Sequence, residues 1–191
     1  MRSIPQLLWR RLRTETQLIA AAQAGSADAF ADLVQLYQDK LLRFLLTRCA
    51  SYADAEDALQ DTMINAYRYI GSYDPRWRFS TWLYRIAIRN AGKLRTPGVV
   101  ELGDLRDEEN DPLLQCIKAS ETENLWVSAR ALLNDEVFAA MWLRYAEDLS
   151  VNDISAALDR SVSWTKINLM RGRQTLDAAM NETRKTSEAY G

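Results

Sequence analysis

The chain has 191 residues, with 24 Lys and Arg against 26 Asp and Glu, a formal net charge of −2 and no histidine. That length holds one medium domain or two small ones, and the balanced charge argues against a protein that coats nucleic acid without selectivity. With no histidine and only Cys49 and Cys116, neither a zinc site nor a disulfide framework is expected.

No run approaches the roughly 18 apolar residues of a membrane span. The N-terminus reads Leu7-Leu8-Trp9 between Arg2 and the basic Arg10, Arg11 and Arg13. Its apolar centre is too short for a signal peptide and no cleavage site follows, so a loose basic lead-in is expected. A reduced, cytoplasmic protein fits these features, with no cofactor and no metal.

Thr14 and Gln17 have capping-box spacing and open a short helix through Ala24, which Gly25 ends. Ser26 starts a long core helix with Phe30, Leu33, Val34, Tyr37, Leu41, Phe44 and Leu45 on one face. Asp54 begins a third helix whose Ala55, Leu59, Thr62, Ala66, Tyr69 and Ile70 face inward, and Gly71 stops it. Asp54, Glu56, Asp57 and Asp61 make an acidic patch there. Ser72-Tyr-Asp-Pro75 then turns the chain.

The next stretch, Phe79 to Arg95, is the most informative. Ser80 or Thr81 can cap its start, and Pro97 closes the far end. Leu83, Ile86, Ala87, Asn90 and Leu94 recur at helical spacing as one buried stripe, beside Trp82, Arg85, Arg89 and Lys93. From Arg76 to Arg95 there are six basic residues and no acidic one, interleaved with Trp77, Phe79, Trp82 and Tyr84. Cations neutralise phosphates, and aromatic faces stack on unpaired bases for roughly 1–3 kcal/mol each. An amphipathic core helix with a solvated basic face explains the same pattern without nucleic acid.

Between about Thr96 and Ala119, prolines, glycines and a second acidic run from Glu101 to Asp111 break all periodicity, which reads as a flexible linker. Ser120 and Glu123 repeat the capping-box spacing before Leu125, Trp126, Ala129, Leu132 and Leu133. Asn134 caps a helix with Val137, Phe138, Met141, Trp142 and Tyr145. Ser150 caps a short helix with Ile154, Ala157 and Leu158 inward, and Asp159-Arg160 turn the chain. Ser161 or Ser163 opens a longer helix with Thr165, Leu169, Gly172, Leu176 and Ala179 inside. Lys166, Ile167, Asn168, Met170 and Arg171 stay outside. Two helices about a tight turn, the second polar and basic near its start, form a helix-turn-helix pattern able to enter a major groove. Nowhere is there strict alternation, so the fold class is all-α: two small helical domains joined by an acidic linker.

In combination, Asp54-Ala-Glu-Asp-Ala-Leu-Gln-Asp-Thr-Met and Phe79-Ser-Thr-Trp-Leu-Tyr-Arg-Ile-Ala resemble region 2 of the extracytoplasmic-function (ECF) sigma factors of bacterial RNA polymerase. Leu149-Ser-Val-Asn-Asp-Ile-Ser-Ala-Ala-Leu, with Lys166 and Arg171-Gly-Arg173, resembles their region 4. The resemblance implies a region 2 domain over residues 1–95, a connector over 96–119 and a region 4 domain over 120–191. It implies that Asp57, Gln60 and Asp61 dock on the clamp helices of core RNA polymerase. Arg76, Trp77, Arg78, Trp82, Arg85 and Arg89 are then the residues for the melted minus-ten strand of promoter DNA. Ser163, Trp164, Lys166, Ile167, Asn168 and Arg171 are those for the duplex minus-thirty-five element. An anti-sigma factor, often membrane-anchored, is implied as antagonist, and no small-molecule substrate. Leu125, Trp126 and Trp142 could meet that antagonist, although core packing suits them better.

The chain departs from the family where Trp164-Thr-Lys-Ile-Asn168 stands in place of the usual Thr-Val-Lys-Ser-Arg, so no promoter consensus carries over. Gly172 replaces the usual Ala, and Asp159 the usual turn Gly. A stand-alone helix-turn-helix regulator of duplex DNA is the alternative, but it leaves the acidic helix and the Trp-rich loop unexplained. A helical scaffold that never meets DNA leaves the basic run unexplained. An enzyme fits least: there is no phosphate loop, and Asp57 and Asp61 lack the further ligands that a metal pair needs.

Overall fold

The computed structural model describes residues 13–94, 126 and 129–189, with side chains through 91 in the first stretch and 181 in the last. The linker over 96–119, the Ser120–Glu123 spacing, Cys116, Leu125 and the basic lead-in before Arg13 lie outside the described residues, as do the side chains of Lys93 and Leu94.

All regular structure in the described residues is helical. Helix α1 (Glu15–Gln23) opens on the expected capping box: Thr14 Oγ1 accepts from Gln17 N, and the Gln17 side chain accepts from Thr14 N. Gly25 takes φ +95°, a left-handed conformation that glycine reaches without a Cβ clash. Ser26 then caps α2 (Ala27–Leu46).

Helix α3 (Tyr52–Tyr69) starts two residues earlier than the acidic run suggests, because Ser51 Oγ accepts from Asp54 N and is the true cap. Its inner face is Ala55, Ala58, Thr62 and Ala66; Tyr69 is exposed rather than inward. A 3-10 turn (Ile70–Ser72) leads to a loop and then α4 (Phe79–Leu94). Here too the start is earlier than expected. Trp82 N already donates to Arg78 O, so Ser80 and Thr81 sit within the first turn.

After helical residues 129–132 come α5 (Asp135–Tyr145), α6 (Val151–Leu158) and α7 (Val162–Ala189). Asn134 and Ser150 cap α5 and α6 as expected, whereas Tyr145 lies outside the core. Trp142 is buried against Trp126 and Phe138, with ring centroids 4.9 and 6.2 Å away, so these tryptophans belong to the core. Gly172 on α7 lies within van der Waals reach of α5. A Cβ there would stand 3.1 Å from Met141 and Val137 side-chain atoms, which gives the glycine a packing reason.

The two groups of helices share one apolar core. Phe44, fully buried, has the Tyr84 ring 5.2 Å away edge-on and the Trp142 ring 6.2 Å away. Arg130 Nε donates to Thr47 O at the end of α2, where helix carbonyls lack partners, and Arg48 Nη1 donates to Asp135 O. Helix α6 packs along α4, and this contact decides what the basic helix can present.

Candidate nucleic-acid interface

Helix α4 is held to the acidic helix by a short polar chain. Asn90 Nδ2 donates to Thr62 Oγ1 at 3.3 Å, Thr62 Oγ1 donates to Ala58 O at 2.6 Å, and Asn65 Nδ2 donates to Asn90 Oδ1 at 3.4 Å. Burying Asn90 and Thr62 is tolerated because each is paired. The network fixes the rotation of α4, so Leu83, Ala87 and Ala91 face the core while Arg85 is half-buried and Arg89 is exposed.

The loop before α4 is built as firmly. Gln23 Nε2 donates to Ile70 O and Tyr73 O, tying the loop to α1, and the Tyr73 hydroxyl donates to Trp77 O at 2.7 Å. Asp74 accepts from Arg76 through both the backbone N and Nε, and these bonds hold its carboxyl below the usual range. Burial pushes the Tyr73 hydroxyl up. Phe79 stands at the centre of an aromatic cluster, 5.5 Å from Tyr37, 5.3 Å from Tyr73 and 5.4 Å from Trp82.

This corrects the reading of the four aromatics. Phe79 and Tyr84 are buried and cannot stack on bases, since Phe79 anchors the loop and Tyr84 packs on Phe44. Trp77, 40% exposed, and the half-buried Trp82 remain available. Between loop and helix lies a cavity of about 440 Å³, lined by Ser72, Asp74, Trp77, Trp82, Arg85 and Arg89, with Ala156 of α6 at one side. Four residues of the expected strand-binding set line it, Trp77, Trp82, Arg85 and Arg89, whereas Arg78 donates to Asp148 O. The exposed Arg76 is turned onto Asp74 instead.

Asp57, Gln60 and Asp61 lie exposed on the face of α3 opposite Ala55, Ala58 and Thr62. The same stripe runs on to Ile64 and Arg68, where an apolar trough opens beside Phe30, Met63 and Tyr67. Ile64 and Tyr67 are each about half exposed, at 47% and 49%.

At the far end, Ser161 Oγ accepts from Trp164 N and caps α7, so Ser163 lies inside the first turn. Ser163, Lys166, Ile167 and Arg171 form one exposed face. Trp164 and Asn168 flank it half-buried: the Arg160 guanidinium lies over the Trp164 ring, and Asn168 Nδ2 donates back to Trp164 O. Arg160 is paired with Glu136, which raises its already high pKa.

Contacts between the two helix groups had no signal in the sequence. Thr81 Oγ1 donates to Asp153 Oδ1 at 3.0 Å, Arg78 Nη1 donates to Asp148 O at 3.1 Å, and Arg85 lies 3.6 Å from Asp159. Partners some 70 residues apart leave no local pattern, and capping alone suffices to explain Asp153.

Among the described residues, no helix is long and apolar enough to cross a membrane, and no three His, Cys, Asp or Glu side chains are grouped as metal ligands. The family model for Sigma-70 region 2 matches residues 25–94. The chain is 31% identical to an ECF RNA polymerase sigma-E factor of Haemophilus influenzae, over 86% of this chain and 94% of that one. It is 30% identical to the RNA polymerase sigma-H factor of Pseudomonas aeruginosa, over 87% and 93%. Among solved structures, it resembles CnrH, determined with the cytosolic domain of CnrY (TM-score 0.65, 21% identity, 86% of this chain and 96% of that one). It also resembles the sigma factor RpoE of Bartonella quintana, determined with the anti-sigma factor NepR (TM-score 0.54, 19% identity, 80% and 96%). At these identities the two structures speak for the fold alone. The sequence relatives carry the assignment, and the chain belongs to the ECF family of RNA polymerase sigma factors.

Proposed function

We propose that this sigma factor divides its work among three surfaces. The exposed stripe of Asp57, Gln60 and Asp61 on α3 docks on the clamp helices of core RNA polymerase, with Ile64 and Tyr67 adding apolar contact. An acidic stripe beside exposed apolar side chains suits a protein partner better than DNA, whose phosphates it would repel.

The loop Ser72–Arg78 and α4 capture the melted minus-ten strand. The observation that carries this reading is the cavity between Trp77, Trp82, Arg85 and Arg89, which combines aromatic faces with cations. Extracting a base costs a few kcal/mol, which stacking and phosphate contacts offset. Promoter opening then follows from preferential binding of the separated state, with no covalent step.

The exposed face of α7, through Ser163, Lys166, Ile167 and Arg171, reads the duplex minus-thirty-five element in the major groove, flanked by Trp164 and Asn168. Residues 1–95 and 120–191 serve as the two DNA-reading domains and 96–119 as their connector. The protein works in the cytoplasm beside the polymerase and is restrained there by an anti-sigma factor, membrane-anchored in this reading. The family resemblance, and a solved relative bound to an anti-sigma factor, support that restraint.

Two charge reversals test the division of labour. Asp61→Arg should abolish binding to core polymerase, whereas Arg89→Glu should leave core binding intact and abolish promoter opening, read by permanganate reactivity of unpaired thymines. Retained core binding by Asp61→Arg would remove the α3 assignment, and normal opening by Arg89→Glu would remove the α4 assignment.

A further inference from the structure

We propose that Ile167 selects a thymine in the minus-thirty-five element by packing against its C5-methyl group, which among the four bases only thymine carries in the major groove. The proposal rests on the reading of α7 as the helix that enters duplex DNA, and it names what that helix distinguishes there.

Helical geometry puts Ile167 at the crest of the outer face. Helix α7 packs on α5 and α6, and its Thr165 and Leu169 are buried. A step of two residues turns a helix by about 200°, so Ile167, two positions from each, points the opposite way. It is 45% exposed and lies between Ser163, one turn before, and Arg171, one turn after, both exposed. From Val162 to Arg173 the chain has Lys166, Arg171 and Arg173 and no acid, a charge that suits the phosphates lining a groove. An apolar side chain at the crest of a cationic face calls for an apolar partner.

Neighbours that could read a base edge by other means are turned aside. Trp164 lies half-buried with the Arg160 guanidinium over its ring at 5.7 Å, and Arg160 is itself paired with Glu136. Stacked in this way, the indole stays at the flank. Asn168 Nδ2 donates to Trp164 O at 2.9 Å, which ties the amide back onto its own helix. Met170, 54% exposed, is also apolar, but its unbranched thioether adapts to many surfaces. Ile167 is β-branched and nearly fixed at χ1 within a helix, so it presents its methyl groups in one place.

An isoleucine side chain neither donates nor accepts a hydrogen bond. Set against the polar edge of a G·C pair, it would cover donors and acceptors and leave them unpaired, which is costly. Set against thymine, it meets the one apolar group that a base edge offers in the major groove. Selection therefore works in both directions, by contact with thymine and by rejection of polar edges.

The test uses holoenzyme, assembled from core RNA polymerase and the full-length protein, on a promoter fragment recovered by run-off transcription. Each thymine of the minus-thirty-five element, on either strand, is replaced in turn by uracil, which pairs identically and lacks only the methyl group. Competition against the unmodified fragment reads relative affinity. At one position the replacement should weaken wild-type binding about fourfold, the worth of one buried methyl-sized group. Ile167→Ala should bind the uracil and thymine fragments equally, whereas Met170→Ala should keep the wild-type loss. A wild type indifferent to uracil at every position, or an element without thymine on either strand, would overturn the proposal. So would a loss that persists in Ile167→Ala. Failure of the underlying reading looks different: scrambling the whole element would leave binding unchanged, rejecting α7 as the duplex reader and Ile167 with it.

Discussion

Thr81 and Asp153 lie 72 positions apart, yet the Thr81 hydroxyl donates a 3.0 Å hydrogen bond to the Asp153 carboxylate in a buried seam. The same carboxylate is held by Ser150, the cap of α6, so one acidic side chain both starts a helix and fastens it to α4. A hydrogen bond to a charged acceptor contributes about 1.5–3 kcal/mol. Thr81→Val should therefore lower unfolding stability by about 2 kcal/mol, measured by urea denaturation. A loss below about 0.5 kcal/mol would mean that the seam is open in solution.

Phe44 joins the halves by packing rather than polarity, with Tyr84 on one side and Trp142 on the other. Removing a buried aromatic ring costs about 3–5 kcal/mol. Phe44→Ala should destabilise by that amount and loosen both halves together, seen as earlier exposure of Trp142 in fluorescence-detected unfolding. A loss confined to α1–α4 would contradict a shared core.

Gly172→Ala separates helix propensity from packing. Propensity alone predicts a gain of up to about 1 kcal/mol. The new methyl would meet Val137 Cγ1 and Met141 Sδ at 3.1 Å, and the branched Val137 has little room to turn. The clash should win, so the variant should melt below the wild type, and a higher melting temperature would show that α5 and α7 part easily.

The Asp74–Arg76 pair sets a pH response in the loop. The Asp74 carboxyl is depressed first by the Arg76 side-chain hydrogen bond, then by the Arg76 backbone N–H. A carboxylate whose folded pKa lies below its unfolded value adds stability that is present above the unfolded value and fades as pH falls through the folded one. Carbon-detected NMR should place the Asp74 midpoint below 3.8, and Arg76→Ala should return it towards that value. An unshifted wild-type midpoint would mean that the pair is not formed.

Much of this architecture was legible locally. Thr14, Ser26, Asn134 and Ser150 each cap the helix that their spacing promised, because a cap is settled within four residues. Starts were misplaced where the cap lay upstream of the striking feature, as with Ser51 before Asp54. The exposed acids of α3 and the outer face of α7 followed from helical periodicity. Phe79 and Tyr84 did not, because whether an aromatic beside a basic stripe meets solvent depends on which neighbouring helix lies over it. Here Tyr37 and Phe44 of α2 take both rings into the core. The seam between α4 and α6 was invisible for the same reason, since Thr81 and Asp159 have adequate local explanations as a cap candidate and a turn residue, and Asp148 belongs to no local pattern.

Run-off transcription with purified core RNA polymerase on genomic DNA, with and without the protein, tests the central claim most directly. Discrete transcripts that require both the protein and its exposed Arg89 are predicted, with Arg89→Glu giving none. Transcripts absent with the wild type, while the protein alone shifts specific duplex fragments, would contradict the account and favour a regulator of duplex DNA.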